Sequence, residues 1–453
     1  MLLNVLLILL MLLAVFAYEV NGKNLLNPAC VVCAVFIVST ALAIIGNRNW
    51  KYSMHIESVV IIFGALSLFS IASSCGTYIS NRITALQKFE KILRIPTKGF
   101  VYIVTIILLC FTAFTVRDFV RNASLVRATV DGFGGMIKAS RDAATLGLAS
   151  SSVFSSLAVY FGRATSYIGI YLFIVNTYSK NLKAKEARYL LFPCVPYIVT
   201  VFLSTGRTLL IGFVTYIITI YGIVILRSAG AAQRILAKKI FKIMIVFVIV
   251  FIGYGNMRQG SSGGLLSALN GITSYGGFSI PSFDYFIESG VRNTGGFGSH
   301  TLLQIYELLK RVGVAIPDSN GSYDAILING YRGNIFTALR RYVEDYGVLG
   351  CFIIMILLGF FTSLAYNNTF KHANNHVAII YYSLTAEFLY EFSIEERFMC
   401  GRLGMPSILD LIAILIVWNI YTSVDFSIGD RYHSLVFLNS ENRRLTIKSQ
   451  APK

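Results

Sequence analysis

The chain has 453 residues, of which 55% are hydrophobic and only 13% are charged, and its formal net charge is +17. A soluble domain carries roughly 25% charged residues, so a fully water-facing surface of this size is excluded. The basic excess sits in short loops between apolar runs, which is the pattern of positive-inside membrane topology and not of a nucleic-acid-binding face.

A membrane span needs ~20 mostly apolar residues. Eleven runs meet that description, near 1–18, 28–46, 56–74, 99–116, 158–178, 190–204, 207–226, 240–255, 347–366, 377–392 and 405–424. The first lacks a basic leader and a small-residue cleavage site, so it reads as a retained helix. The expected fold is an all-α polytopic membrane protein, a single integral membrane domain over 1–453 with one large folded external loop. Cys30, Cys33, Cys75, Cys110, Cys194, Cys351 and Cys400 lie in or beside apolar segments and read as free, packed thiols.

Lys and Arg orient the chain. The loops at 75–98, 179–189 and 227–239 and the tail at 425–453 are basic and fall on one side, the cytoplasm; the N-terminus then lies outside. The external segment 117–156 is also basic, against the usual bias, and an anionic ligand would account for it. Residues 256–346 form the large external loop, with seven basic and seven acidic residues in balance. Spacing of Leu302, Tyr306 and Leu309 predicts a helix over 300–312, and a second helix is expected over 334–346, with a turn at 317–321 between them.

Four places hold candidate chemistry. Arg207 opens a span after Ser204, Thr205 and Gly206; a helix N-terminus and a guanidinium fork both suit phosphate, although a snorkelling Arg at a span end is the plain alternative. Arg163 lies a short way into its span and allows the same two readings. The run from Asn329 to Gly347 contains Arg340 and Glu344, and Arg341 and Asp345, each four apart, as helix ion pairs would be. The late external loop holds Glu391, Glu395, Glu396 and Arg397, carboxylates able to bind hydroxyls or accept a proton. His372 and His376 share an i, i+4 spacing but fall in a cytoplasmic turn, and no metal site is expected.

The segment from Gly330 to Thr337, continuing to Val343-Glu-Asp-Tyr-Gly-Val-Leu-Gly350, together with Ser204-Thr-Gly-Arg207, resembles the Wzy-type oligosaccharide repeat-unit polymerases that make O-antigen and capsule. The resemblance implies a GT-C-like architecture in a bacterial inner membrane. It implies glycosyl transfer from undecaprenyl pyrophosphate to a fresh lipid-linked repeat unit, without metal or cofactor. It further implies a chain-length regulator and a flippase as partners, and no nucleic acid. Mapped onto this chain, Arg207 would hold the pyrophosphate with Arg332, Arg340, Arg341 and Arg163. Asp345 would orient or deprotonate the acceptor, with Glu344 or Glu391 as substitutes, while Tyr331, Asn334 and Tyr342 would bind sugar. An O-antigen ligase fits the same features, and a lipid-linked oligosaccharide transporter is the alternative of a different class.

Overall fold

The computed structural model describes residues 1–83, 95–126, 132–178, 183–204, 206–228, 265–290, 297–314, 325–372 and 374–423, and most of those between 238 and 255. In chain order the helices are α1 (Leu2–Val20), α2 (Pro28–Trp50), α3 (Ile56–Ile83), α4 (Lys98–Ser124), α5 (Gly132–Thr145), α6 (Val153–Tyr178), α7 (Ala184–Ala187), α8 (Cys194–Leu203) and α9 (Thr208–Ser228). There follow α10 (Leu265–Gly276), α11 (Ser279–Ser289), α12 (Leu303–Arg311), the strands β1 (Ile326–Ile328) and β2 (Tyr331–Gly333), α13 (Leu339–Lys371), α14 (His376–Thr385), α15 (Glu387–Glu391) and α16 (Met405–Ser423).

Among the described residues, α1, α2, α3, α4, α6, α9, α13 and α16 are long and apolar enough to cross a membrane, which makes this a polytopic α-helical membrane protein. Eight expected spans thus have their helices. The ninth, at 190–204, is a pair: residues 184–191 and α8 meet at 44° around Pro193, which cannot continue a hydrogen-bonded helix. The run at 377–392 is divided into α14 and α15, and 240–255 lies partly outside the described residues.

Contacts between loops sort the two ends of the bundle. At one end Asn329 Nδ2 donates to the Trp50 carbonyl (2.8 Å), the His55 amide donates to Asp284, and Arg397 donates to Thr208 Oγ1 (2.9 Å). At the other, Lys371 Nζ donates to the Ser80 carbonyl (2.7 Å), Tyr189 Oη to the Pro96 carbonyl (2.9 Å), and Tyr171 pairs with His376 (2.6 Å). The second end gathers Arg82, Lys98, Lys185, Arg188 and Arg227, which lie in or beside the basic loops expected on the cytoplasmic side. The first is the loop end.

Small residues bring α3 and α13 together. A Cβ on Gly76 would stand 2.7 Å from the Phe360 carbonyl, and one on Gly359 would meet the Phe69 backbone. Between them Thr77 Oγ1 and Ser363 Oγ are 2.8 Å apart, with Asn27 and Asn367 donating to Thr77. Helix starts are set locally: Asn27 accepts from the Ala29 amide with Pro28 in the first turn.

The loop end departs from expectation in detail. The helix predicted over 300–312 occupies Leu303–Arg311. The one predicted from 334 begins at Leu339, and residues 326–333 ahead of it form an antiparallel hairpin, with Ile328 opposite Tyr331 across an Asn329-Gly330 turn. Both turn residues have positive φ, 46° and 86°, the conformation that an Asn-Gly pair accepts. At the end of the first stretch of α13, Gly347 takes φ 70°, kinking the helix between an interfacial segment and the span. The thiols are all free, but Cys75 and Cys110 are exposed on the outer face of the bundle and not packed. The turn expected at 317–321 and the tail at 425–453 lie outside the described residues.

Gly359→Leu forces overpacking against the Phe69 backbone and should cost about 1–3 kcal/mol. Thermal unfolding in detergent should show a lower Tm, and Gly99→Leu, at a position with open space, should not.

Candidate functional site

The first stretch of α13 builds one half of a charged cluster at the loop end. Asp345 accepts from the His300 and Thr301 amides (3.1 and 2.8 Å), from Thr301 Oγ1 (2.7 Å) and from Ser299 Oγ (3.4 Å). Its carboxylate closes the turn that leads into α12. Arg341, four residues earlier, is buried and donates through Nη1 to the His300 carbonyl (2.8 Å). One turn of chain is therefore gripped at its amides by an acid and at a carbonyl by a base. Glu344 lies 3.6 Å from His300 Nε2 and 3.5 Å from Arg340 Nε, and Arg340 stacks over the Phe336 ring at 3.7 Å. Both residues of that pair are largely buried, so the pair is not the exposed helix bridge that its spacing alone implies.

The loop after α15 supplies the other half. Glu391 is buried and accepts from Arg397 Nε (3.0 Å), while its Oε1 has no hydrogen-bond partner among the described residues. Arg397 also meets Glu395 at 2.7 Å and Thr208 Oγ1 at 2.9 Å. Burial acts to lower the pKa of Arg397, but Glu395 and Glu391 outweigh it and raise the pKa, which keeps the guanidinium charged. Glu395, partly exposed, lies 3.9 Å from Arg341 Nη2 and so joins the two halves. Glu396 plays a structural part: it accepts from Tyr342 Oη and from the amides of Phe398, Met399 and Cys400, capping a π-helical turn at Phe398–Arg402.

Arg207 sits beside this cluster, immediately before α9, because Arg397 binds the next residue, Thr208. Its guanidinium lies over the rings of Phe251 (4.5 Å) and Tyr275 (4.7 Å). Nε is buried with no hydrogen-bond partner among the described residues. Burial lowers the pKa of Arg207, Tyr275 opposes the effect, and the positive Arg141 on α5 adds to it. A partly desolvated cation held on two aromatic faces keeps unfilled hydrogen-bonding capacity. Tyr275 interacts electrostatically with Glu391, Glu395 and Arg397 as well as with Arg207, so it stands between the two groups.

The structure thus brings together Arg207, Arg340, Arg341, Glu344, Asp345 and Glu391. It places the other expected site residues elsewhere. Arg163 is largely buried between helices, bonded to Asp410 (2.7 Å) and Tyr197 (3.3 Å), so its charge is already answered within the bundle. Tyr342 is fully buried and packs on Phe392, which removes its ring from any sugar-facing surface. Arg332, Tyr331 and Asn334 are exposed on and after the hairpin, which Asn329 anchors to Trp50 and Lys51.

Several residues escaped the sequence reading. Arg402 bridges Glu387 and Asp410, extending the Arg163 pair into a buried row of alternating charge. Asp410 was visible as an acid inside a predicted span, itself a functional or pairing signal. Asp284, fully buried, accepts from Tyr52 Oη (2.8 Å) and the His55 amide and pairs with His55 Nδ1 (3.0 Å). No local pattern announces those contacts, which are more than 200 residues apart in sequence.

No family model, no curated protein and no solved structure matches the chain.

Asp345→Ala leaves the donors of 299–301 without their acceptor and should cost about 1–3 kcal/mol. The readout is faster proteolytic cleavage between 291 and 314, with the spans intact. The hydrogen bond and charge of Asp284 raise the pKa of exposed His55, and Glu288 adds to this. The His55 clamp is therefore complete below the ~6.5 of a free imidazole and weakens as pH rises through the elevated folded value. Tm measured against pH should fall across that window in the native chain and stay flatter in His55→Gln.

Proposed function

We propose that this protein polymerises undecaprenyl-pyrophosphate-linked oligosaccharide repeat units into a surface polysaccharide, at the outer face of a bacterial cytoplasmic membrane. The loop end is then periplasmic or external, and the architecture is of the GT-C-like kind that the resemblance implies. The observation that carries the reading is Arg207: a partly desolvated guanidinium with open hydrogen-bonding capacity, on an aromatic bracket, next to Arg397 and within one charged cluster with Arg341.

The chemistry follows from that placement. The acceptor hydroxyl oxygen attacks the anomeric carbon of the donor chain. The bond from that carbon to the pyrophosphate oxygen breaks, and the lipid pyrophosphate leaves with the electron pair. Negative charge developing on the departing pyrophosphate is met by Arg207, with Arg397 beside it, and fixed cations in a low-dielectric site stabilise such charge most when they need not reorganise. The acceptor proton passes to Glu395, whose side chain is 40% exposed and lies between Arg341 and Arg397. Glu391 holds Arg397, and Asp345 holds the 299–301 turn; both act by positioning. Exposed Tyr331 and Asn334 are offered to the glycan farther along the loop end.

Arg207→Ala should reduce transfer by about 10²–10³-fold, the loss of one charge-stabilising donor. The surface polysaccharide should run on a gel as a single repeat in place of a ladder, with the protein present in the membrane at its normal level. Arg207→Lys should recover little, since an ammonium lacks the planar fork. A full ladder from Arg207→Ala would overturn the assignment, and loss of the single-repeat band as well would favour a ligase.

A further inference from the structure

Among the described residues, α12 carries an apolar stripe that the chain leaves largely uncovered. Ile305, Leu308 and Leu309, with Val312 just past the end of the helix, follow the i, i+3, i+4, i+7 spacing of one helix face. Gln304, Glu307, Lys310 and Arg311 fill most of the rest. None of the nine residues of α12 is buried, and Leu308 and Val312 are 49% and 69% exposed. We propose that α12 lies in the membrane interface at the loop end, with this stripe at the acyl boundary and Lys310 and Arg311 reaching the lipid phosphates.

Two spans set the depth of this segment. Phe297 packs edge-on against Tyr346 (4.8 Å), and Thr301 Oγ1 lies 2.7 Å from Tyr346 Oη. Tyr346 stands immediately before the Gly347 kink, where α13 turns into its span, and the next two residues, Val348 and Leu349, are exposed apolar side chains. Farther along, Gln304, Leu308 and Arg311 face Met405, Pro406 and Leu409 at the start of α16. A Cβ on Gly404 would stand 2.5 Å from the Cβ of Gln304. The segment therefore runs from the point where α13 enters the membrane to the point where α16 does. Met405, Ile408 and Ile412 continue the exposed apolar surface down α16.

The chemistry of the segment suits that level. A short helix with apolar and charged residues segregated on separate faces is of the interfacial class, and the long stems of Lys310 and Arg311 let their charges rise to the headgroups. Tyr306, whose hydroxyl donates to the Phe297 carbonyl, is a residue type that collects at the membrane–water boundary. Lipid already adjoins α12 at both spans, whereas a protein partner would have to displace it to reach the stripe. The turn at 299–301 gripped by Asp345 and Arg341 leads directly into α12, so the bilayer surface and the charged cluster hold opposite ends of one short segment.

The test puts a nitroxide at Leu308→Cys, Val312→Cys or Glu307→Cys in the full chain, reconstituted in phosphatidylcholine nanodiscs. The exposed Cys75 and Cys110 are changed to Ser, and the chain without an added cysteine gives the baseline. Collisions with oxygen, which concentrates in lipid, are compared with collisions with a water-soluble nickel chelate. The ratio at 308 and 312 should shift toward oxygen, to the value of a label at Leu415→Cys on the exposed side of α16, while the label at 307 should collide mainly with nickel. Labels at 308 and 312 that favour nickel overturn the proposal. So do labels there that are shielded from both reagents, as beneath a second copy or another protein, and so does a label at 307 in lipid. The proposal requires that α13 and α16 cross the membrane and nothing of the polymerase chemistry, so failure of the Arg207 prediction would leave it standing.

Discussion

A charge held among packed helices must meet a countercharge or a hydrogen-bonding partner, because neither lipid nor protein interior solvates it. Much of the layout at the loop end follows from that demand. Arg163, Asp410, Arg402 and Glu387 answer one another in a buried row that joins α6, α15 and α16 through the π-helical turn. Glu391, Arg397 and Glu395 extend the alternation to Thr208 and Arg341. The row ties the late loop to helices that are far apart in sequence, so the loop has a fixed shape although it contains little regular structure.

Against this background Arg207 is distinct. Its guanidinium lies over the rings of Phe251 and Tyr275, and the charged side chain that acts on it electrostatically is another cation, Arg141. Among the described residues no carboxylate pairs with it, so the site attracts an anion from outside; under the proposed function that anion is the diphosphate of the lipid-linked donor. The surrounding carboxylates serve a different purpose. Those of Asp345 and Glu396 are filled by backbone amides and stabilise turns, while Glu391 holds a guanidinium.

Particular residues show how much was legible beforehand. The helix-breaking Gly347 and the spans on either side of the large loop could be read from hydropathy and glycine placement, and Arg207 from its position at the opening of a span. The Asn329-Gly330 turn was also legible in principle, because that pair is a strong hairpin signal, but its flanks are too short to show alternation, and no hairpin was expected there. Tyr342 and Arg163 were misread for a common reason. Residue type and spacing reveal that a side chain is amphipathic or charged, but not whether a distant element has already closed over it.

Apolar length and the distribution of Lys and Arg, read alone, determine that this chain crosses a membrane many times and which ends of its helices share a side. Both are properties of consecutive residues, and the bilayer acts on them locally through the cost of exposing backbone and charge to hydrocarbon. Tertiary structure alone decides which charges neutralise one another and which remains open. Asp410 and Arg163 are 247 residues apart, and Arg397 and Thr208 are 189 apart, yet each pair is in hydrogen-bond contact. Pairing depends on distance in space, falls off over a few ångströms, and is created only when the helices pack.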